Sequence, residues 1–155
     1  MRLVLFEPDI PQNTGTLLRL AACWDLKVDL IFPCGFIFDD ARMRRASMDY
    51  IDSVEITRHT SWNAYLGWRA GNPALAGRLL LLSTKAAEPY HTFQYRADDS
   101  IMVGRESSGV PDAVHELADA RLLIPLRPGM RSLNVAIAAS VVAAEALRQT
   151  GFPSP

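Results

Sequence analysis

The chain has 155 residues, 49% hydrophobic and 21% charged, with a formal net charge of −1 at pH 7. This composition suits a single globular domain over residues 1–155 with a real core, and it excludes a disordered or low-complexity chain. A near-neutral balance also argues against binding polyanions through overall charge, so any RNA-binding surface must come from local clustering or from two subunits together.

Short apolar runs alternate with helix-like stretches from end to end. Arg2 to Phe6 reads as a strand, and Pro11 to Trp24 as a loop leading into a helix. Val28 to Phe32 is a second strand, followed by a short helix around Asp39 to Ala46. Val54 to Thr57 reads as a strand and Ser61 to Trp68 as a helix, interrupted at Gly71-Asn72-Pro73. Leu79 to Leu82 and Ile101 to Val103 are continuous apolar runs, as expected of strands buried on both faces. A helix from Pro111 to about Leu117 precedes a strand from Arg121 to Ile124. The last element is a helix from about Leu133 to Gln149, closed by Gly151 and Pro153. Such alternation implies an α/β fold with a mainly parallel sheet and flanking helices. The final helix is apolar or small nearly all round, which points to a subunit interface or to a central position in one chain.

Other features bound the setting. The opening apolar run ends at Glu7-Pro8, too short for a signal peptide or a membrane span. Cys23 and Cys34 have neither metal nor redox spacing and read as buried free thiols of a reducing cytoplasm. Trp62, Tyr65 and Trp68 recur at helical spacing and read as core. His59, His91 and His115 are scattered without ligand spacing.

Three loops carry chemistry-bearing residues. Glu7-Pro8-Asp9-Ile10-Pro11-Gln12-Asn13-Thr14-Gly15 follows a strand and opens a helix, with Asn13 or Thr14 as candidate cap and Arg19 about a turn in. Val103 to Pro111 is a glycine-rich strand-to-helix turn, the usual cofactor position in a parallel sheet. It matches neither GxGxxG nor a Walker loop, and it is not the GxSxG elbow of serine hydrolases. Ile124 to Asn134 holds two prolines and a glycine before the apolar helix, with Ser132 as the expected N-cap.

Together these segments resemble the three motifs of the SPOUT methyltransferases: Asn13-x-Gly15-x-x-x-Arg19, Gly104-x-Glu106-x-x-Gly109, and Ile124-Pro125 followed by Ser132-Leu133-Asn134. The resemblance runs from Leu3 to Gln149. Within the class the chain is similar to the small tRNA (cytidine/uridine-34) 2'-O-methyltransferases that lack an added RNA-binding domain. Phe38-Asp39-Asp40, Arg44-Arg45-Ala46, Asp49-Tyr50, Thr84-Lys85 and Glu145-Ala146-x-Arg148-Gln149 extend the likeness.

The resemblance implies a C-terminal deep trefoil knot, a homodimer through the C-terminal helix, and S-adenosylmethionine as cofactor without a metal. It implies transfer of a methyl group to the ribose 2'-hydroxyl of the wobble nucleotide in the tRNA anticodon stem-loop, with leucine acceptors the expected tRNAs. Carried over by position, Leu82, Gly104, Ile124, Ser132 and Leu133 hold the cofactor, while Glu106 and Asn134 shape the methyl-donor end. Asn13 and Arg19 complete the catalytic set. A guanidinium seldom deprotonates, so Arg19 is read as a fixed charge that stabilises a developing alkoxide. Arg42, Arg44 and Arg45 form the basic cluster assigned to tRNA phosphates. Competing readings are the same chemistry at another tRNA or rRNA position, a non-catalytic RNA- or nucleotide-binding domain of the same fold, and a flavodoxin-like protein.

Overall fold

The computed structural model describes residues 1–39 and 50–154. Its centre is a seven-stranded sheet built from β1 (Arg2–Phe6), β2 (Lys27–Ile31), β3 (Ile56–His59), β4 (Leu79–Leu82), β5 (Glu88–Pro89), β6 (Ser100–Val103) and β7 (Ala120–Leu123). The order is β3-β2-β1-β6-β4-β7-β5, and every pairing is parallel. The helices are α1 (Pro11–Cys23), α2 (Trp62–Gly71), α3 (Pro73–Ala76), α4 (Asp112–Leu117) and α5 (Val135–Thr150), with a 3₁₀ turn at Tyr50–Ser53. The sheet agrees with the expected parallel α/β class. The third strand starts two residues later than Val54, and the two-residue β5 was not anticipated, being too short to show a period. The helix expected over Asp39 to Ala46 lies outside the described residues apart from Asp39, as do Arg42, Arg44 and Arg45.

The central strands explain their own placement. β1, β4 and β6 have side chains buried on both faces, so alternation is lost and only continuous apolar runs remain. Two cores result. One lies between the sheet and α1 with α5, holding Leu3, Leu17, Leu18, Ala139, Val142 and Ala143; the other lies under α2 and α4, around Val4, Phe6, Tyr65 and Met102. Tyr65 is fully buried, and burial pushes its phenol up to about 12. Trp62 and Trp68 pack beside it, as the helical spacing suggested.

Beside that aromatic cluster sits a charged one that the sequence did not reveal. Arg2 Nε donates to Asp29 Oδ2 at 2.5 Å, and His59 Nε2 lies 2.7 Å from Asp29 Oδ1, all three side chains buried. The cluster ties β1, β2 and β3 together, and removing one partner would leave a buried charge unpaired.

One expectation is corrected here. Cys23 is exposed at the last position of α1, outside the helix's buried residues Thr14, Gly15, Leu17, Leu18 and Ala21, and Cys34 is half-buried. Helix α5 does not bury its whole girth. Ala136, Ala139, Val142, Ala143, Ala146 and Leu147 face inward, whereas Ile137 is 55% exposed and Val141 and Ala144 are half-buried. The inward residues recur at three- and four-residue intervals, so small side chains let the helix lie close to α1 and the sheet.

Candidate active site

Three loops leave the C-terminal ends of β1, β6 and β7 on the same side of the sheet, where open parallel sheets place their ligands. Between them, with the end of β4, lies a cleft of about 640 Å³. Its walls mix apolar side chains with main-chain and polar groups, and its size suits a nucleoside-sized ligand.

The first loop begins with Glu7 in the left-handed region, φ 44°. That conformation is unfavourable for a residue with a side chain and is held by the surroundings. Helix α1 then starts at Pro11, whose fixed φ suits the first helical position. The N-cap is Ile10, without a side-chain cap. Neither Asn13 nor Thr14 caps, because both already lie inside the first turn. The amide of Asn13 is thereby released to reach out of the helix.

The second loop is closed by reciprocal hydrogen bonds between Arg105 and Gly109, at 3.0 and 2.9 Å. Gly109 takes φ +69°, open only to glycine without strain. A Cβ on Gly104 would stand 2.6 Å from the Gly109 carbonyl carbon and 2.8 Å from Val110 Cγ1, so close approach demands glycine there as well. Arg105 also pairs with Glu7 of the first loop.

The third loop delivers α5. Its N-cap is Asn134 and not Ser132: Asn134 Oδ1 accepts from the N–H groups of Ala136 at 2.9 Å and Ile137 at 3.3 Å. Ser132 stays exposed and lines the cleft.

A hydrogen-bonded chain joins the loops. Asn134 Nδ2 donates to Asn13 Oδ1 at 2.9 Å, and Asn13 Nδ2 donates to Glu106 Oε1 at 3.0 Å. Because Asn134 Oδ1 is engaged by the helix N-terminus, its amide can turn only one way, and that fixes the orientation of Asn13 in turn. Glu106 also accepts from the Asp9 main-chain N–H at 3.1 Å. Burial, then the neighbouring Asp9 carboxylate, raise the Glu106 carboxyl above its usual value. Asp9 itself is lowered to about 2, chiefly by its contact with Glu106 and then by Ser107.

Asn13, Glu106 and Asn134 therefore meet at one end of the cleft. Leu82, Gly104, Ile124, Ser132 and Leu133 line it. Arg19 does not. It stands six residues beyond Asn13, which turns it roughly 120° around the helix and carries it ~9 Å along the axis. There it is exposed, with its guanidinium 5.3 Å from the ring centre of Tyr50. Residues at the cleft to which sequence reasoning gave no role include Ser83, Lys85, Ser107 and Arg131. Lys85 was noted only as part of the family likeness and Ser107 lay beside matched motif positions; Arg131 stood within the third loop and was not singled out.

The SpoU rRNA Methylase family profile matches residues 1–144. The chain belongs to that family. A tRNA (cytidine(34)-2'-O)-methyltransferase of Beijerinckia indica subsp. indica is 55% identical over 96% of this chain and 91% of its own length. A solved structure described as giving structural insights into the 2-OH methylation of C/U34 on tRNA superposes with TM-score 0.87 and 36% identity, covering 96% of this chain and 94% of the other. The SpoU methyltransferase AviRb from Streptomyces viridochromogenes, in complex with AdoMet, shares the fold at TM-score 0.84 and 23% identity, over 96% of this chain and 60% of that one. The SPOUT class expected from the three motifs thus agrees with the observed sheet and with these relatives, and the trefoil threading is inherent to that fold.

Proposed function

We propose that this chain methylates the ribose 2'-hydroxyl of nucleotide 34, cytidine or uridine, in tRNA, using S-adenosylmethionine and acting in the cytoplasm as one catalytic domain. The observation that carries the reading is the Asn134–Asn13–Glu106 chain at the end of a nucleoside-sized cleft, in a chain of this family. The cofactor, when bound, supplies an activated methyl group. Apolar walls at Leu82, Ile124 and Leu133 suit an adenosine, and the glycine-only approach at Gly104 leaves main-chain groups free to bind it. Glu106, Asn13 and Asn134 hold polar groups in fixed directions at the reacting end, so little reorganisation remains at the moment of transfer.

The positive charge of Arg19 serves the RNA side, where it offsets charge developing on the ribose oxygen. Lys85 and Arg131 at the cleft, with Arg127 in the third loop, supply further cations for phosphates, and Arg42, Arg44 and Arg45, which lie outside the described residues, are the basic cluster assigned to tRNA phosphates from the sequence. The enzyme works as a homodimer through the outer face of α5. Support comes from the exposed apolar side chains of Met130 in the third loop and Ile137 in the first turn of α5, 63% and 55% exposed.

The test is methyl transfer from labelled S-adenosylmethionine to unmodified tRNA, with the product nucleotide mapped by mass spectrometry. A 2'-O-methyl group at position 34 is expected. Methylation confined to another position, or to rRNA, overturns the substrate assignment, and no transfer to any RNA overturns the enzyme reading.

A further inference from the structure

Asp9 in the first loop has no role in the reading above, yet it is bonded to two consecutive residues of the second loop. Asp9 Oδ1 accepts from the Glu106 N–H at 3.0 Å. Asp9 Oδ2 accepts from the Ser107 N–H at 3.3 Å and from the Ser107 hydroxyl. In return the Asp9 N–H donates to Glu106 Oε2. The arrangement is a capping box made across 97 residues of sequence instead of one helical turn. Asp9 is backed from behind: the Gly35 N–H donates to the Pro8 carbonyl at 2.9 Å, and a Cβ on Gly35 would lie 2.6 Å from Asp9 Cβ. The acid is held between Gly35 and the second loop with little room to move.

We propose that Asp9 is a positioning residue for methyl transfer, latching the second loop to the first and holding Glu106 in line with Asn13 and Asn134. The proposal rests on the methyltransferase reading. Its logic is geometric. Glu106 has two oxygens, and two donors address them, the Asp9 N–H and the Asn13 amide. Both donors favour the ionised carboxylate, so the aligned site is the one with Glu106 charged. The Asp9 side chain grips the Glu106 main chain and so keeps those donors in register. Other charged groups at this end are the Glu7–Arg105 pair, and Arg131 and Lys85 along the cleft. Asp9 stays ionised well below neutral pH, and its charge opposes ionisation of Glu106.

A kinetic double-mutant cycle on the full chain tests this, with single-turnover methylation of tRNA as the readout and wild type alongside. Asp9→Ala is expected to slow transfer about tenfold or more. In a Glu106→Ala background the same change should cost less than about twofold, because the group it positions is gone. Asp9→Asn keeps the size and an acceptor, and should retain most of the rate at neutral pH. Its acid limb should move to lower pH by about half a unit or more, since the opposing charge is removed. A residue that merely supports the fold would show additive losses in the cycle and an unmoved acid limb in Asp9→Asn, and either result overturns the proposal. Failure of the wild type to methylate any RNA would instead overturn the reading on which it rests.

Discussion

Asn134 does two jobs with one amide, and they can be separated. Its oxygen caps α5 and its nitrogen directs Asn13. Asn134→Ala removes both. Loss of a good N-cap costs about 1 kcal/mol, and a broken inter-loop hydrogen bond adds up to about 1 kcal/mol. At about 2–4 °C per kcal/mol for a chain of this size, the melting temperature should fall by about 2–8 °C. Asn134→Asp is the sharper probe. Aspartate caps as well as asparagine and its charge suits a helix N-terminus, so the cap is kept and stability should fall by no more than the inter-loop bond, up to about 1 kcal/mol. At the other end of the side chain, however, a carboxylate oxygen would face Asn13 Oδ1. Asn13 then either meets another acceptor or turns its amide over, and turning sets its oxygen against Glu106. Every arrangement loses one link, and misalignment of this kind is worth about ten- to a hundredfold in rate. Thermal melts with single-turnover methylation of tRNA measure both quantities. A stable, fully active Asn134→Asp would refute the claim that the chain of amides organises the site, and an unshifted melt for Asn134→Ala would refute the cap.

Further outcomes follow from geometry. Gly104→Ala should weaken S-adenosylmethionine binding by about tenfold or more in calorimetry while the chain stays folded, because the new Cβ collides with Gly109 main chain and the second loop must open; wild-type affinity would show that the loop yields freely. Ala143→Glu should abolish folding, since a fully buried position receives an unpaired charge, whereas Ile137→Glu should leave the circular dichroism unchanged and yield monomers in light scattering. A folded dimeric Ile137→Glu would remove the outer face of α5 from the interface. Arg19→Ala should lower turnover by about a hundredfold with cofactor affinity little changed, as Arg19 is not among the cleft residues; near-normal turnover with tRNA binding intact would reduce it to a surface residue.

Much of the candidate site was legible because its loops carry residue types that only particular backbones tolerate. Gly104 and Gly109 mark a close approach and a left-handed turn, and both are found where the motif placed them. Caps were read less well. Ser132 and Asn134 are both good capping residues, and which one caps depends on where the third loop lets the helix begin. At α1 the proline at the first position set the start, a stronger signal than the Asn13-Thr14 pair. Asp9 went unremarked because its partners lie 97 and 98 residues away, so nothing local distinguishes it from a solvated acid.

The local pattern determined the class of fold. Continuous apolar runs such as Leu79–Leu82, separated by helical stretches, leave a buried parallel sheet as the arrangement that satisfies both backbone and side chains. Strand order was a different kind of question. That β6 lies between β1 and β4 brings the second loop beside the first, and with it Glu106 to Asn13 across 93 residues of sequence. The same holds for Asn134 and Asn13, and for the buried Arg2–Asp29–His59 cluster across three strands. It holds also for α5, whose apolar surface has no strong period of its own, so packing against α1 and the sheet decided which side turned inward. Periodicity and turn chemistry arise from neighbours along the chain, whereas pairing order, facing and ionic partners arise from packing between segments that the sequence keeps far apart.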